Sequence, residues 1–304
     1  MISKAVLSAL KSFVPEENIF LQEPMATHTT FRTGGPADCL IEIASTEELQ
    51  KIQQYLHEVQ LPFFVLGNGS NLLVSDKGYR GIILHMGEAF REIRREGNLI
   101  HAKAGAFLSQ VAAFAWKEGL TGLEFAAGIP GTIGGGVVMN AGAYGGELCQ
   151  VVEIVRVLDK EGNELELDNE TMEFGYRTSA IQNQSFIVTE VVIRLTPGDK
   201  DAIHARMEEL AAKRREKQPL EYPSAGSTFK RPEGYYAGEL IMKAGMRGFT
   251  VGGAQVSEKH CGFVINTGTA ASADIIEVIE KVQESVKNTF GVQLEPEVIL
   301  LGER

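Results

Sequence analysis

The chain has 304 residues, room for two or three domains, and at 44% hydrophobic and 23% charged it is neither disordered, collagen-like nor coiled-coil. Forty Asp and Glu against 29 Lys and Arg leave a net charge of -11, the wrong sign for a non-specific hold on nucleic acid. Cys39, Cys149 and Cys261 lie far apart with no CxxC spacing, which argues against a disulfide framework or a zinc cluster and for a cytoplasmic location. The six histidines show no metal-ligand spacing, so no metal is assigned.

At the amino terminus Val6, Leu7, Leu10, Phe13 and Val14 share one helical face, and Lys4, Ser8 and Lys11 break any secretory apolar core, so a docked helix is expected. No run reaches the about 18 apolar residues of a membrane span. Ser45 and Glu48 form a capping box ahead of Leu49, Ile52, Leu56 and Val59, and Phe63 to Leu66 follows as a buried strand. Strands at 37–43, 71–74 and 81–84 complete a first lobe, 1–95.

A strand at 99–102, a helix from Ser109 to Lys117 stopped by Gly119, and a glycine-dense stretch from Ala126 to Gly146 open a second lobe, 96–205. Strands at 151–158, 164–167 and 186–195 dominate its remainder, with residues 159–163 as a turn. The apolar period Ile203, Met207, Leu210 predicts a connecting helix over 199–217, ended by Pro219. The third lobe, 206–304, carries strands near 250–256 and 262–265 and a long helix through Ile275, Ile279, Val282, Val286 and Phe290, capped by Gly291.

Chemistry concentrates in two glycine loops, in a chain with 33 glycines. In Gly67-Asn68-Gly69-Ser70-Asn71 the missing Cβ atoms let successive N–H groups converge on an anion, and Asn68, Ser70 and Asn71 add side-chain donors. The loop lacks a Walker lysine and the G-x-G-x-x-G spacing, and on its own it reads better as a tight turn between two core strands than as a phosphate site. The second loop runs through Gly128, Gly131, Thr132, Gly134 and Gly135 to Asn140, Gly142 and Ala143. So many glycines invite the close approach of a flat ring or a phosphate, or else a compact loop packed on its own lobe.

Six ordered blocks, HTTFRTGGPAD (28–38), VLGNGSNLLVSD (65–76), AGIPGTIGGGVVMNAGAYG (127–145), GYRTS (175–179), AGSTFKRP (225–232) and LEPEV (294–298), resemble the UDP-N-acetylenolpyruvoylglucosamine reductase family across nearly the whole chain. The resemblance implies an α+β flavoenzyme: a two-lobed FAD-binding domain like that of para-cresol methylhydroxylase plus a third α+β substrate-binding lobe. It further implies reduction of an enolpyruvyl ether on UDP-N-acetylglucosamine with NADPH, in peptidoglycan precursor synthesis. Its partners would be small molecules, neither nucleic acid nor membrane.

Hydride addition to the electron-poor C=C leaves an enolate, so a hydride donor, charge stabilisation and a proton are needed, and no side chain supplies the first. Arg177 is the candidate for the substrate carboxylate, because its fork stays charged and binds bidentately. Ser227 matches the family's proton donor; a hydroxyl is acid enough for an enolate. Glu297 matches the third catalytic position, with Glu295 as its rival; expected at a strand entrance, its carboxyl would be protonated to polarise the enolate. Lys217 and Lys230, with Arg231 and Tyr222, are candidate donors to a diphosphate, and Tyr176 is a further substrate-binding candidate. A second reading is a different FAD oxidoreductase of the same fold, acting on a hydroxy acid or alcohol. A third, a UDP-sugar-binding regulator, sits poorly with the joint presence of Arg177, Ser227 and Glu297.

Overall fold

The expected helices and strands are largely where periodicity puts them. In the computed structural model, which describes residues 2–303, Ser3 caps a helix Lys4–Leu10, shorter than the amphipathic stretch, and Leu10 and Val14 are buried. The next helix is Thr46–Glu58, and the Ser45 hydroxyl accepts the Glu48 N–H at 3.1 Å. The reciprocal bond of the capping box comes from one residue earlier: the Ala44 N–H donates to the Glu48 carboxylate at 2.9 Å.

The chain divides into two units. The first holds residues up to Leu21, Cys39–Asn68 and Gly81–Arg214; the second holds Gln22–Asp38, Gly69–Arg80 and the chain from Arg215 on. The strand Phe63–Leu66 runs parallel to Tyr79–His85, pairing Phe63 with Ile82 and Leu66 with His85, in a four-stranded sheet that also holds Ile19–Pro24 and Pro36–Glu42. A five-stranded antiparallel sheet takes its strands in the order Glu164–Asp168, Val152–Leu158, Ile187–Arg194, Leu99–Lys103, Ile93–Glu96.

Three glutamines of the helix Thr46–Glu58 tie it to the turn between the first two of those strands. Gln50, Gln53 and Gln54 donate to the carbonyls of Gly162, Asp159 and Glu161 at 3.1, 2.6 and 2.8 Å. One hydrophobic cluster, from Leu10 and Ile52 through Val111 and Ile133 to Val191, underlies the whole unit. Each buried aliphatic side chain contributes about 1.5–3 kcal/mol, so these elements share one core.

The second unit has its own cluster, built on Phe31, Leu73, Ile241, Val256, Ile279 and Val282. Two expectations change here. The strand at 71–74 does not join the first lobe: Leu72–Val74 pairs in parallel with Ile299–Leu301, Leu73 opposite Leu300. The strand expected over 250–256 is instead a hairpin, Thr250–Val251 against Ala254–Val256, because Gly252 and Gly253 form its turn and Gly252 takes φ +51°. The sheet continues to Val264–Asn266, packed under the helix Ser272–Phe290, which Gly291 ends at φ +71°.

Asp76 explains why residues 69–80 cluster with the carboxyl-terminal segment rather than with 1–95. Its carboxylate accepts the N–H groups of Ser272 and Ala273, both at 2.8 Å, and caps that long helix from almost 200 residues away in sequence. The buried Ser272 hydroxyl in turn donates to the Val74 carbonyl at 2.5 Å. Asp76→Ala is therefore expected to lower unfolding stability in urea by about 1–2 kcal/mol, with Asp76→Asn losing less. A loss below about 0.3 kcal/mol would show that the cap carries no weight.

Candidate functional site

In the first unit the two glycine loops touch. Gly67 lies against Thr132 so closely that a Cβ would overlap the hydroxyl and stand 3.1 Å from Cγ2. The Asn68 amide donates to the Pro130 carbonyl. Thr132, only 5% exposed, caps the six-residue helix Ile133–Val138, its Oγ1 accepting the Gly135 N–H at 3.3 Å. Residues 126–146 thus hold a helix that glycine content had masked. Gly134 packs on Ala104 with no room for a side chain, whereas Gly135 faces outward.

Among the described residues nothing accepts from the backbone N–H groups of Gly67, Asn68, Gly131 or Thr132. Unpaired N–H groups on two glycine loops in contact are what a nucleotide's anionic oxygens and ring edge require, so these residues fit a flavin. In the second unit Gly69, at φ +59°, lies on the His28 carbonyl and leaves no space for a Cβ. The Asn71 amide donates to the Glu297 carbonyl at 3.0 Å.

The second loop is tied to Arg177 through Asn140. Asn140 is 1% exposed and at φ +46°; its amide donates to the Gly175 carbonyl and the Glu147 carboxylate, both at 3.1 Å, and its oxygen accepts the Cys149 N–H at 2.9 Å. Every side-chain hydrogen-bonding group of Asn140 is used within the protein. Gly142–Ala143 pairs with Gly146–Glu147 around Tyr144 and Gly145, both at positive φ, a tight turn of the primed kind.

Gly175 and Thr178 close a two-residue turn whose second corner is Arg177, at φ +56°. A left-handed arginine costs about 1–3 kcal/mol and persists only where its surroundings impose it. Ser179 and Gln182 do so: both donate to the Val138 carbonyl at 2.9 Å, and Gln182 also donates to the Arg177 carbonyl at 3.1 Å. The Arg177 guanidinium carbon stands 5.1 Å from the centroid of the Tyr176 ring, which is 50% exposed. Sequence reasoning passed over Ser179, Gln182 and the side-chain work of Asn140, although all but Gln182 fall inside the quoted blocks.

In the second unit Ser227 is exposed on a turn after Gly226, at φ +75°. The residues that follow pair with the segment around Glu297: Phe229 bridges Pro296, Lys230 N–H donates to the Glu295 carbonyl at 2.9 Å, and Glu297 N–H donates to the Thr228 carbonyl at 2.8 Å. Ser227 and Glu297 are therefore brought together by backbone ladders 70 residues apart in sequence. Glu297 precedes the strand Ile299–Leu301 by two residues instead of opening it. The rival Glu295 is mostly exposed and pairs with Lys230 at 3.4 Å, which separates the two carboxylates by surroundings: Glu297 is half-buried. Lys217 and Tyr222 are exposed. The Arg231 guanidinium lies 4.0 Å from the centroid of the exposed Tyr236 ring.

Residues 218–301 match the family described as UDP-N-acetylenolpyruvoylglucosamine reductase, C-terminal domain, and residues 37–168 match an FAD binding domain family. The UDP-N-acetylenolpyruvoylglucosamine reductase of Caldanaerobacter subterraneus subsp. tengcongensis is 51% identical over 303 residues, covering 100% of each chain. That of Clostridioides difficile is 47% identical, covering 97% of each. The chain belongs to the UDP-N-acetylenolpyruvoylglucosamine reductase family.

Among solved structures the Thermus caldophilus enzyme of the same name superposes with a TM-score of 0.81 at 35% identity, over 93% of this chain and 98% of that one. Phl p 4.0202, a glucose dehydrogenase, matches at TM-score 0.50 and 11% identity over 95% of this chain and 64% of its own, a likeness of fold alone. The fold is thus the α+β flavoenzyme architecture implied by the sequence blocks.

The contact between Gly67 and Thr132 is open to a direct measurement. Gly67→Ala is expected to cost about 1–3 kcal/mol of stability by overpacking. Thr132→Ala removes both clashing atoms and costs about 1 kcal/mol as a lost cap. In that background Gly67→Ala should cost less than half as much; strict additivity in chemical denaturation would show that the two loops do not press on each other.

Proposed function

We propose that the chain catalyses the FAD-dependent, NADPH-consuming reduction of the enolpyruvyl ether of UDP-N-acetylglucosamine to UDP-N-acetylmuramate, a cytoplasmic step in peptidoglycan precursor synthesis. The observation that carries this reading is the end-to-end match to the reductase family at 51% identity. The amino-terminal lobes take the flavin and the carboxyl-terminal domain takes the UDP-sugar. FAD is held by Gly67, Asn68, Gly69, Ser70 and Asn71 and by Gly128, Gly131, Thr132, Gly134, Gly135, Asn140, Gly142 and Ala143, in part by backbone groups and in part by the loop shape those residues maintain. The bound flavin, reduced by NADPH, supplies the hydride.

Arg177 holds the substrate carboxylate in its fork, and its imposed backbone conformation keeps the guanidinium in place as negative charge grows. Hydride arrives at the terminal carbon of the C=C and the electron pair moves to the carbon bearing the ether oxygen. Ser227 donates its hydroxyl proton to that carbon and is reprotonated by water. Glu297, in its protonated form, polarises the enolate; as a carboxylate it would repel the substrate. Lys217 and Lys230 neutralise the substrate diphosphate, with Tyr176 against the substrate. The partners are small molecules, and a net charge of -11 suits neither nucleic acid nor an anionic membrane surface.

Ser227→Ala separates proton delivery from hydride delivery. The variant is expected to retain FAD and to be reduced by NADPH at the wild-type rate, while single-turnover reoxidation by the enolpyruvyl substrate slows by about 10²- to 10⁴-fold. Reoxidation within about threefold of wild type, far short of that loss, would remove Ser227 from the mechanism. Arg177→Lys keeps the charge and loses the fork, so it should slow substrate reduction and spare flavin reduction. Equal losses in both half-reactions would make Arg177 a support for the flavin or the fold. Turnover of a hydroxy acid or alcohol, with none of the enolpyruvyl ether, would replace the reading by the second flavoenzyme.

A further inference from the structure

The side chain of Gln182, in the short helix Ile181–Gln184, joins the turn bearing Arg177 to the glycine-rich helix Ile133–Val138. Its amide nitrogen donates to the Val138 carbonyl at 2.9 Å and to the Arg177 carbonyl at 3.1 Å. A primary amide has two N–H donors, and both are spent here. Val138 ends its helix, where a carbonyl finds no partner within the helix itself. Ser179, only 1% exposed, gives its hydroxyl to the same oxygen at 2.9 Å. The other end of that helix is the Thr132 cap, pressed against Gly67. One short helix therefore has the contact between the glycine loops at its start and the Arg177 turn at its end.

The bond to the Arg177 carbonyl matters because the backbone there is strained. Arg177 sits at φ +56° in a turn closed by Gly175 N–H donating to the Thr178 carbonyl at 3.1 Å and by Thr178 N–H donating back at 3.4 Å. With the Arg177 oxygen released, that φ can relax toward the ordinary region, which swings the side chain. Asn140 holds the Gly175 carbonyl on one side of the turn, and Gln182 holds the Arg177 carbonyl on the other. We infer that Gln182 is a positioning residue for the reduction: by fixing the Arg177 carbonyl to the end of the helix Ile133–Val138, it sets the backbone place from which Arg177 reaches the substrate carboxylate. This rests on the reading that Arg177 grips that carboxylate. Ser179 bonds Val138 and not Arg177, so its hydroxyl supports the helix end rather than the arginine.

The test follows both half-reactions by stopped flow in the FAD-loaded protein, for wild type, Gln182→Ala, Gln182→Glu, Arg177→Lys and Gln182→Ala combined with Arg177→Lys. Both Gln182 variants should retain FAD and be reduced by NADPH within about twofold of the wild-type rate. At saturating enolpyruvyl substrate their single-turnover reoxidation should slow by about 10- to 100-fold, the scale of a small misplacement. Gln182→Glu should be the slower of the two, because a carboxylate has no donor for two carbonyl oxygens, and acid should narrow the gap by giving it one O–H. In the Arg177→Lys background Gln182→Ala should add less than about twofold. Three outcomes overturn the proposal: losses that multiply in the combined variant, reoxidation within about twofold of wild type in both Gln182 variants, or equal losses in both half-reactions with a lower melting temperature. Wild-type reoxidation in Arg177→Lys itself defeats the carboxylate reading and takes this inference with it, whereas a slow Arg177→Lys beside fast Gln182 variants rejects this inference alone.

Discussion

The arrangement of the first unit depends on a missing Cβ at Gly67. With it absent, Thr132 can lie directly against the backbone that leaves the strand Phe63–Leu66, and the two glycine loops become neighbours. Thr132 also fixes the start of the helix Ile133–Val138, while Phe107 bridges it from the other side. Any other residue at position 67 would push the loops apart by the size of a methyl group. The unpaired N–H groups of Gly67 and Asn68 would then stand farther from those of Gly131 and Thr132.

Asn140 extends that constraint to the turn carrying Arg177. Its side chain joins Gly175, Glu147 and Cys149, so the far end of the glycine stretch and the turn carrying Arg177 move as one piece. The unfavourable φ values of Asn140, Tyr144 and Arg177 occur within this connected region. Such strain has to be offset by surroundings that allow no alternative, and the carbonyl of Val138, accepting from both Ser179 and Gln182, is one such restraint.

Much of this was legible from residue patterns. The Ser45 cap of the helix Thr46–Glu58, the Gly291 stop of the helix Ser272–Phe290 and the apolar period of both depend on local sequence alone, and the stretches around Leu99–Lys103, Val152–Leu158 and Ile187–Arg194 have the β-branched content of buried strands. What local pattern does not encode is the partner. Leu72–Val74 has the composition of any core strand, and its pairing with Ile299–Leu301 follows from burial shared across more than 200 residues. The helix Ile133–Val138 was hidden because three of its six residues are glycines with low helical propensity; the Thr132 cap and packing against Ala104 and Leu108 stabilise it instead. Arg177 and Ser227 were readable only as motif positions, since neither a left-handed arginine nor an exposed serine has a signal of its own.

The second unit makes the complementary point about long-range order. Glu297 has no secondary structure to hold it, yet its N–H donates to Thr228, its carbonyl accepts from Asn71, and the strand beginning two residues later pairs with Leu72–Val74. Three segments far apart in sequence must therefore meet before this backbone position is defined. Loop-closure entropy rises only slowly with separation, by about 0.6 kcal/mol per doubling, so the cost of bringing them together is moderate once the core of Phe31, Leu73 and Ile279 forms. Contacts of this range form late and slow folding. The gain is that Glu297 stands on a backbone anchored on both sides, and the segment bearing Ser227 is anchored by the same ladder, so the relative placement of these two backbone positions is set by main-chain bonds.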